Sequence, residues 1–161
     1  MYLDIEIHSS ATVWGQDVAV TIDADDIRAS LSRQTFMQVL GAEPVAISPG
    51  RVVLELPFRD ALCQQNGFLH AGVITSIADS ACGYAALTLM DPGSDVLSVE
   101  FKVNMLEPAI GERFRAIGTV VRSGRTLTVC SGEVVALTDG KPDKRVALMQ
   151  ATMIARSPRT G

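Results

Sequence analysis

The sequence predicts an α+β domain in which a curved antiparallel sheet wraps one long central helix, preceded by an N-terminal extension with a helix of its own. Three observations carry this. From Gly72 to Met90 the chain reads GVITSIADSACGYAALTLM, apolar or small at nearly every position, with Asp79 as its one charge. A helix apolar on almost all sides is a buried helix. After Met90 the apolar period falls from that of a helix to two, through four segments separated by turn signals. The chain has 161 residues, 47% hydrophobic but only 5% aromatic, enough for one domain with an aliphatic core.

Taken in order, residues 1–24 alternate weakly (Leu3, Ile5, Ile7, then Val18, Val20, Ile22), as one or two short strands would. Asp25 or Asp26 then caps a helix whose apolar side is Ile27, Leu31, Phe36, Val39 and Leu40, stopped by Gly41 and Pro44. A hairpin follows: Val45 to Ile47, the turn Ser48-Pro49-Gly50, and an alternating strand from Arg51 to Phe58. A polar loop rich in Gln, Asn and Gly covers Arg59 to Leu69. The buried helix spans about Ala71 to Met90 and ends at Asp91-Pro92-Gly93. Strands fit Asp95–Glu107, Glu112–Arg122, Thr126–Thr138 and Lys144–Arg156. The division is an extension over 1–42, a main domain over 43–157 and a tail over 158–161.

Composition narrows the function. A net charge of −4 argues against nucleic acid as main partner, while a local basic patch can still hold an anionic ligand. No apolar stretch reads as a membrane span. The acids in MYLDIEIHSS do not suit a secretory or transit segment, so the expected compartment is the cytoplasm. Cys63, Cys82 and Cys130 form an odd, scattered set that fits reduced thiols, and His8 and His70 are too few for a His-rich metal centre. The expectation is no metal and no cofactor.

Asp79 then needs a reason. Burying an ionised carboxylate without partners costs several kcal/mol, about, unless it takes up a proton. It is either a buried acid satisfied by neighbouring hydroxyls and amides or a catalytic carboxylate in a cleft, where perturbed acids gather. At about 100° per residue, Gly72, Thr75, Ser76, Cys82, Gly83 and Ala86 fall near it, a small and faintly polar stripe. The bulkier side, with Ile74, Ile77, Ala81, Tyr84 and Thr88, is expected to face the sheet, leaving the stripe to a ligand or a second subunit. The helix start at His70-Ala71-Gly72 offers unpaired N–H groups with partial positive charge, suited to an oxygen that gains negative charge. His70 orients the loop or merely caps the turn.

At Gly67-Phe-Leu-His70-Ala71-Gly72, with Asp79 and Gly83 beyond, the chain resembles the hotdog-fold acyl-CoA thioesterases of the phenylacetate-pathway (PaaI) type. The likeness continues through Ser98-Val-Glu-Phe-Lys-Val-Asn-Met-Leu-Glu-Pro108 and Arg122-Ser-Gly-Arg125-Thr126, and covers about residues 43 to 157. It implies hydrolysis of a small-molecule acyl-CoA thioester, with CoA present only as part of the substrate. It implies a homodimer, often doubled to a tetramer, with sites at the dimer interface. Asp79 of one subunit is then base or nucleophile, and the His70-Ala71 turn of the other holds the carbonyl oxygen. A serine at the place of Ser98 helps position water in related enzymes. Two positions depart from the pattern: the family's Gly after His is Ala71, and its amide side chain falls on Gln64 while an Asn stands at Asn66. Gln64 and Asn66 both remain candidates.

The helix itself argues for a divided site. Asp79 lies about 12 Å along the axis from Ala71 at 1.5 Å per residue, too far for one reacting carbon to touch both. Gly67 keeps the loop open for a ligand, and Ser76 could line the pocket. Lys102, Arg122 and Arg125, with Thr126, could meet CoA phosphates; as solvated turn charges they need no ligand. A non-catalytic acyl-CoA binder using the same pocket is the alternative. A dehydratase is disfavoured, since it wants Asp before His at close spacing.

Overall fold

The computed structural model describes residues 11–13, 16–18 and 22–156. The expected strands at Leu3–Ile7 and the tail 158–161 lie outside these. Strands β1 (Ala11–Val13) and β2 (Gln16–Val18) form a separate two-stranded hairpin. Helices α1 (Ala24–Ser32) and α2 (Thr35–Leu40) follow. Next come β3 (Glu43–Ser48), β4 (Arg51–Pro57), a short 3-10 turn Asp60–Leu62 and the long helix α3 (Ala71–Leu87). The chain continues through β5 (Asp95–Met105), β6 (Arg113–Ser123), β7 (Leu127–Leu137) and β8 (Lys144–Arg156). The six strands β3 to β8 make one antiparallel sheet in the order β3-β4-β6-β7-β8-β5, and α3 packs along it. This is the hotdog architecture.

The N-terminal helix differs from expectation. Asp23 is the cap, its carboxylate accepting from the N–H groups of Asp25 and Asp26, and the helix breaks at Arg33-Gln34 into two. Two helices present two short apolar faces: Ile27 and Leu31 are buried on α1, Met37 and Leu40 on α2. Phe36 and Val39, expected on the apolar side, stand exposed. Gly41 ends α2 in the left-handed conformation, as its position required.

The centre of the fold is the approach of α3 to the sheet. A Cβ on Gly118 of β6 would lie 2.2 Å from the Ala81 carbonyl oxygen, and one on Gly132 of β7 would lie 2.9 Å from Cys82 Sγ. Gly118 and Gly132 pair directly across β6 and β7, so they form one bare patch beneath the helix. The side expected to meet the sheet does so: Ile74 and Ile77 are buried and Ala81 makes the tightest contact, joined by Cys82 from the small stripe. From Ala81 to Thr88 the helix is buried on every side. The Thr88 hydroxyl accepts from Gly50 N–H at 2.8 Å and donates to the Ala85 carbonyl at 2.7 Å, which ties the helix end to the β3–β4 turn.

Burial pushes the Cys130 thiol up to about 12 and that of Cys82 higher still, so both stay protonated. The Cys130 thiol points to the Cys82 carbonyl at 3.5 Å. No helix among the described residues is long and apolar enough to cross a membrane.

Gly118→Ala sets a methyl group against helix backbone that cannot move without moving the sheet. It is expected to cost about 3 kcal/mol, the upper end of overpacking penalties, whereas Ser131→Ala on the exposed face stays within about 0.5. Urea denaturation of both variants measures the difference.

Candidate active site

Asp79 is half-buried and borders a groove, so it is not the fully buried acid that one of the two readings of the sequence required. The reason is rotation. Ala81 faces the sheet, and two residues back is about 200° around the helix, so Asp79 points away from it. The open part of the stripe is its N-terminal part, Gly72, Thr75, Ser76 and Asp79; Cys82, Gly83 and Ala86 are buried. Ser98 of β5 donates its hydroxyl to Asp79 Oδ1 at 2.6 Å. A bond this short to a charged acceptor is strong and fixes the carboxylate's orientation.

A β-bulge makes that contact possible. Ser98 pairs with Met153 while Glu100 pairs with Thr152, so Val99 is an extra residue in β5. Before the bulge the even positions face the helix, with Val96 against the core; after it the odd positions do, with Val103. Without the bulge Ser98 and Val103 would lie on opposite faces. Lys102 falls on the outer face beside Glu100 and lines neither concavity described below.

Asp79 and Ser98 open onto a groove of about 580 Å³ between α1, α3 and the start of β5. The wall on the α1 side carries Ser30 of that helix and Arg33 and Gln34 of the break that follows it. The Ser30 hydroxyl lies 3.4 Å from the Tyr84 hydroxyl, and the Ser80 hydroxyl 3.4 Å from Gln34 Oε1. Burial raises the Tyr84 phenol above its ordinary value, against smaller opposing effects of the Ser30 hydrogen bond and the Arg33 charge. It is therefore a protonated donor at neutral pH. The sequence reading missed this wall. It set Tyr84 against the sheet and took nothing from α1, whose polar face resembles any solvated helix face.

The other candidates gather at the opposite end of α3, around a second cleft of about 340 Å³ lined by Gln64, Phe68, Ala71, Ile74, Met105 and Pro108 among others. The two concavities share no residue. Gln64 lines this cleft and Asn66 does not. The Gln64 side-chain oxygen accepts from Asn66 N–H, and its backbone closes the loop with Phe68 and Gly67 around the left-handed Gly67 (φ 80°). A Cβ on Gly67 would meet nothing within 4 Å, so the loop surface is open there. Leu69 N–H donates to Ala109 and His70 N–H to Leu62, which pins the helix start.

His70 caps α3. Its Nδ1 accepts from Gly72 N–H at 2.9 Å, and its carbonyl accepts from Val73 and Ile74. Gly72 N–H is thus already engaged, which narrows the expected pair of donors at Ala71 and Gly72. The Ala71 N–H has no partner among the described residues and borders the cleft. Ser76 gives its hydroxyl to the Gly72 carbonyl at 2.7 Å and lines neither concavity. Arg122, Arg125 and Thr126 are exposed around the β6–β7 turn. The register Ser123–Thr128–Met153–Ser98 puts that turn at the Asp79 end of the sheet. Among the described residues no group of three His, Cys, Asp or Glu is placed to hold a metal ion.

The chain and its fold are similar to known proteins. Residues 66–142 match the thioesterase superfamily model. A thioesterase family protein from Silicibacter pomeroyi, known from its crystal structure, is 49% identical, with a TM-score of 0.81 over 84% of this chain and 98% of that one. A candidate esterase of Saccharolobus solfataricus is 37% identical over 94 residues, which is 58% of this chain and 66% of that protein. The PaaI protein of the phenylacetic acid degradation operon of E. coli shares the fold at 20% identity, with a TM-score of 0.71 over 80% of this chain and 89% of that one. The chain belongs to the hotdog-fold thioesterase superfamily.

If His70 acts as the cap, His70→Ala costs about 1 kcal/mol, and His70→Asn, which can also accept from Gly72, recovers most of it. Thermal denaturation of the two variants reads this difference.

Proposed function

We propose that the protein hydrolyses a small-molecule acyl-CoA thioester to free acid and CoA, in a homodimer whose sites are each completed by two subunits. The observation that carries this reading is the pairing of Asp79 with Ser98 at the middle of α3 while the unpartnered Ala71 N–H borders a cleft at its N-terminus. Membership of a thioesterase superfamily supports the reaction class.

Ser98 occupies Asp79 Oδ1 and leaves Oδ2 to act. Asp79 draws a proton from water as its oxygen bonds to the thioester carbon, or attacks that carbon itself and is regenerated by water. The negative charge that builds on the carbonyl oxygen is held by the Ala71 N–H and the helix N-terminus behind it. The C–S bond then breaks, and the thiolate of CoA leaves and takes up a proton. Gln64, on the same cleft, adds a side-chain amide to that end of the site.

Strand β5 supports the dimer. Among the described residues it is an edge strand, hydrogen-bonded on one side only, and it exposes Leu97, Val99, Phe101 and Met105 along its 11 residues. Long apolar edges invite a further strand. Antiparallel pairing with a second β5 about a two-fold axis sets the Ser98 end of one strand beside the Met105 end of the other. That brings the groove with Asp79 next to the partner's cleft. In this arrangement Arg122 and Arg125 supply cations for the CoA phosphates at the Asp79 end.

Two substitutions test the roles. Asp79→Asn should lower kcat on acyl-CoA thioesters by at least about 100-fold, the low end of what a positioned base contributes. Ala71→Pro deletes the N–H at the first helical position, where proline fits and the preceding His70 is already extended (ψ 138°). It should cost about 100- to 1000-fold in kcat with the fold intact. Thiol release over a panel of acyl-CoAs measures both. Wild-type turnover by a folded Asp79→Asn variant contradicts the mechanism, and binding without turnover by the natural protein points to an acyl-CoA binder.

A further inference from the structure

We propose that Arg59 is a positioning residue: its guanidinium grips the end of α2, and through the Arg59 backbone that grip sets the Ala71 N–H at the start of α3. The N-terminal helices thereby bear on the chemistry. This rests on the thioesterase reading and adds a residue to the end of the site that holds the carbonyl oxygen.

The segment from Arg59 to His70 carries Gln64 and leads into α3. Two backbone bonds fix its flanks: Phe58 N–H donates to Glu112 at 2.8 Å and Leu69 N–H to Ala109 at 3.1 Å. Among the described residues, the other hydrogen bonds of residues 59–68 stay inside the segment, with one exception. The Arg59 guanidinium leaves it and donates to the Val39 carbonyl. A loop tied at so few points opens more readily than the elements it joins.

Val39 makes a firm post. It lies in the last turn of α2, where carbonyls lack partners within the helix and carry partial negative charge. The N–H groups of Gly41 and Ala42 satisfy the carbonyls of Gln38 and Met37, and Arg59 takes the Val39 carbonyl that they leave. Met37 and Leu40 are buried, which anchors the turn in the core. A Cβ on Gly41 would lie 3.9 Å from Arg59 Cζ, so the guanidinium passes directly beside the helix end.

From that post a short chain of bonds reaches the donor. The Arg59 carbonyl accepts from Leu62 N–H at 2.9 Å and closes the 3-10 turn. The Leu62 carbonyl accepts from His70 N–H, also at 2.9 Å. The next N–H along the chain is that of Ala71, which has no partner among the described residues. A displaced turn therefore moves His70 and the donor with it. Misplacing a catalytic group by about 1 Å can cost about 100-fold in rate. Arg28 offers a contrast: its Nη1 donates to the Pro44 carbonyl at 3.4 Å, tying α1 to β3 without touching this segment.

Arg59→Met keeps the aliphatic stem and loses the guanidinium. On an acyl-CoA that the natural protein hydrolyses, it should lower kcat about tenfold while KM stays within about twofold. Arg28→Met, the control, should keep kcat within about twofold. In the Ala71→Pro background, Arg59→Met should change kcat by less than about twofold, because the donor it positions is gone. Natural kcat in a folded Arg59→Met protein, an equal loss in Arg28→Met, or an undiminished loss on top of Ala71→Pro overturns the assignment. If the natural protein cleaves no acyl-CoA, the thioesterase reading fails and amide exchange judges Arg59 by itself. The His70 N–H, held by Leu62, should then exchange about tenfold faster in Arg59→Met and at the natural rate in Arg28→Met. Unchanged exchange at His70 in Arg59→Met overturns the assignment.

Discussion

Helix α3 can lie where it does only because the sheet offers it two residues without side chains. With Gly118 under the Ala81 carbonyl and Gly132 under Cys82, the helix backbone sits closer to β6 and β7 than any Cβ would permit. That contact fixes rotation as well as distance. Once Ala81 is turned toward the sheet, Asp79 is turned away, and Ile74 and Ile77, within about 40° of Ala81, are buried on the same side. The charge in an otherwise apolar helix follows from this arrangement: it belongs to the N-terminal part of the stripe, which the sheet leaves open.

In the proposed reaction the same helix supplies both groups, one at its N-terminus and one at its middle. Its N-terminus supplies a free N–H at Ala71, with His70 spent on the neighbouring donor of Gly72. Its middle supplies a carboxylate held by Ser98. An α-helix is rigid and its rise per residue is fixed, so no rearrangement within one chain brings these groups to a common atom. The exposed edge of β5 joins both ends on the outside of the molecule. It begins at Ser98's groove and finishes at the cleft with Met105. A two-fold pairing of that edge therefore covers apolar surface and completes two sites in one step.

Much of this was legible in the sequence. The long helix, the hairpin before it and the four strands after it follow from the change in apolar period, and their ends match to within a few residues. The Asp79 stripe, the His70 turn and Ser98 were readable because each is a polar group in an apolar or small-residue run. What was not legible depended on tertiary register. Nothing local in Ser98-Val99-Glu100 announces a bulge, yet that bulge turns Ser98 to the helix and Lys102 away from it. The contact of Ala81 with Gly118 joins residues 37 apart in sequence, and neither is unusual alone. The α1 wall was missed for the same reason: Ser30 and Gln34 gain meaning only once Ser80 and Tyr84 stand opposite.

The central claim, that each site draws on two chains, is tested most directly by complementation. Asp79→Asn and Ala71→Pro proteins are unfolded and refolded together in equal amounts, and thioester hydrolysis is compared with that of each variant refolded alone. If Asp79 and Ala71 of different subunits share a site, half the dimers are mixed and each holds one intact site. The mixture then recovers about a quarter of wild-type activity. Activity no greater than the mean of the two variants, in a mixture shown to contain mixed dimers, places the site within one chain and contradicts the account.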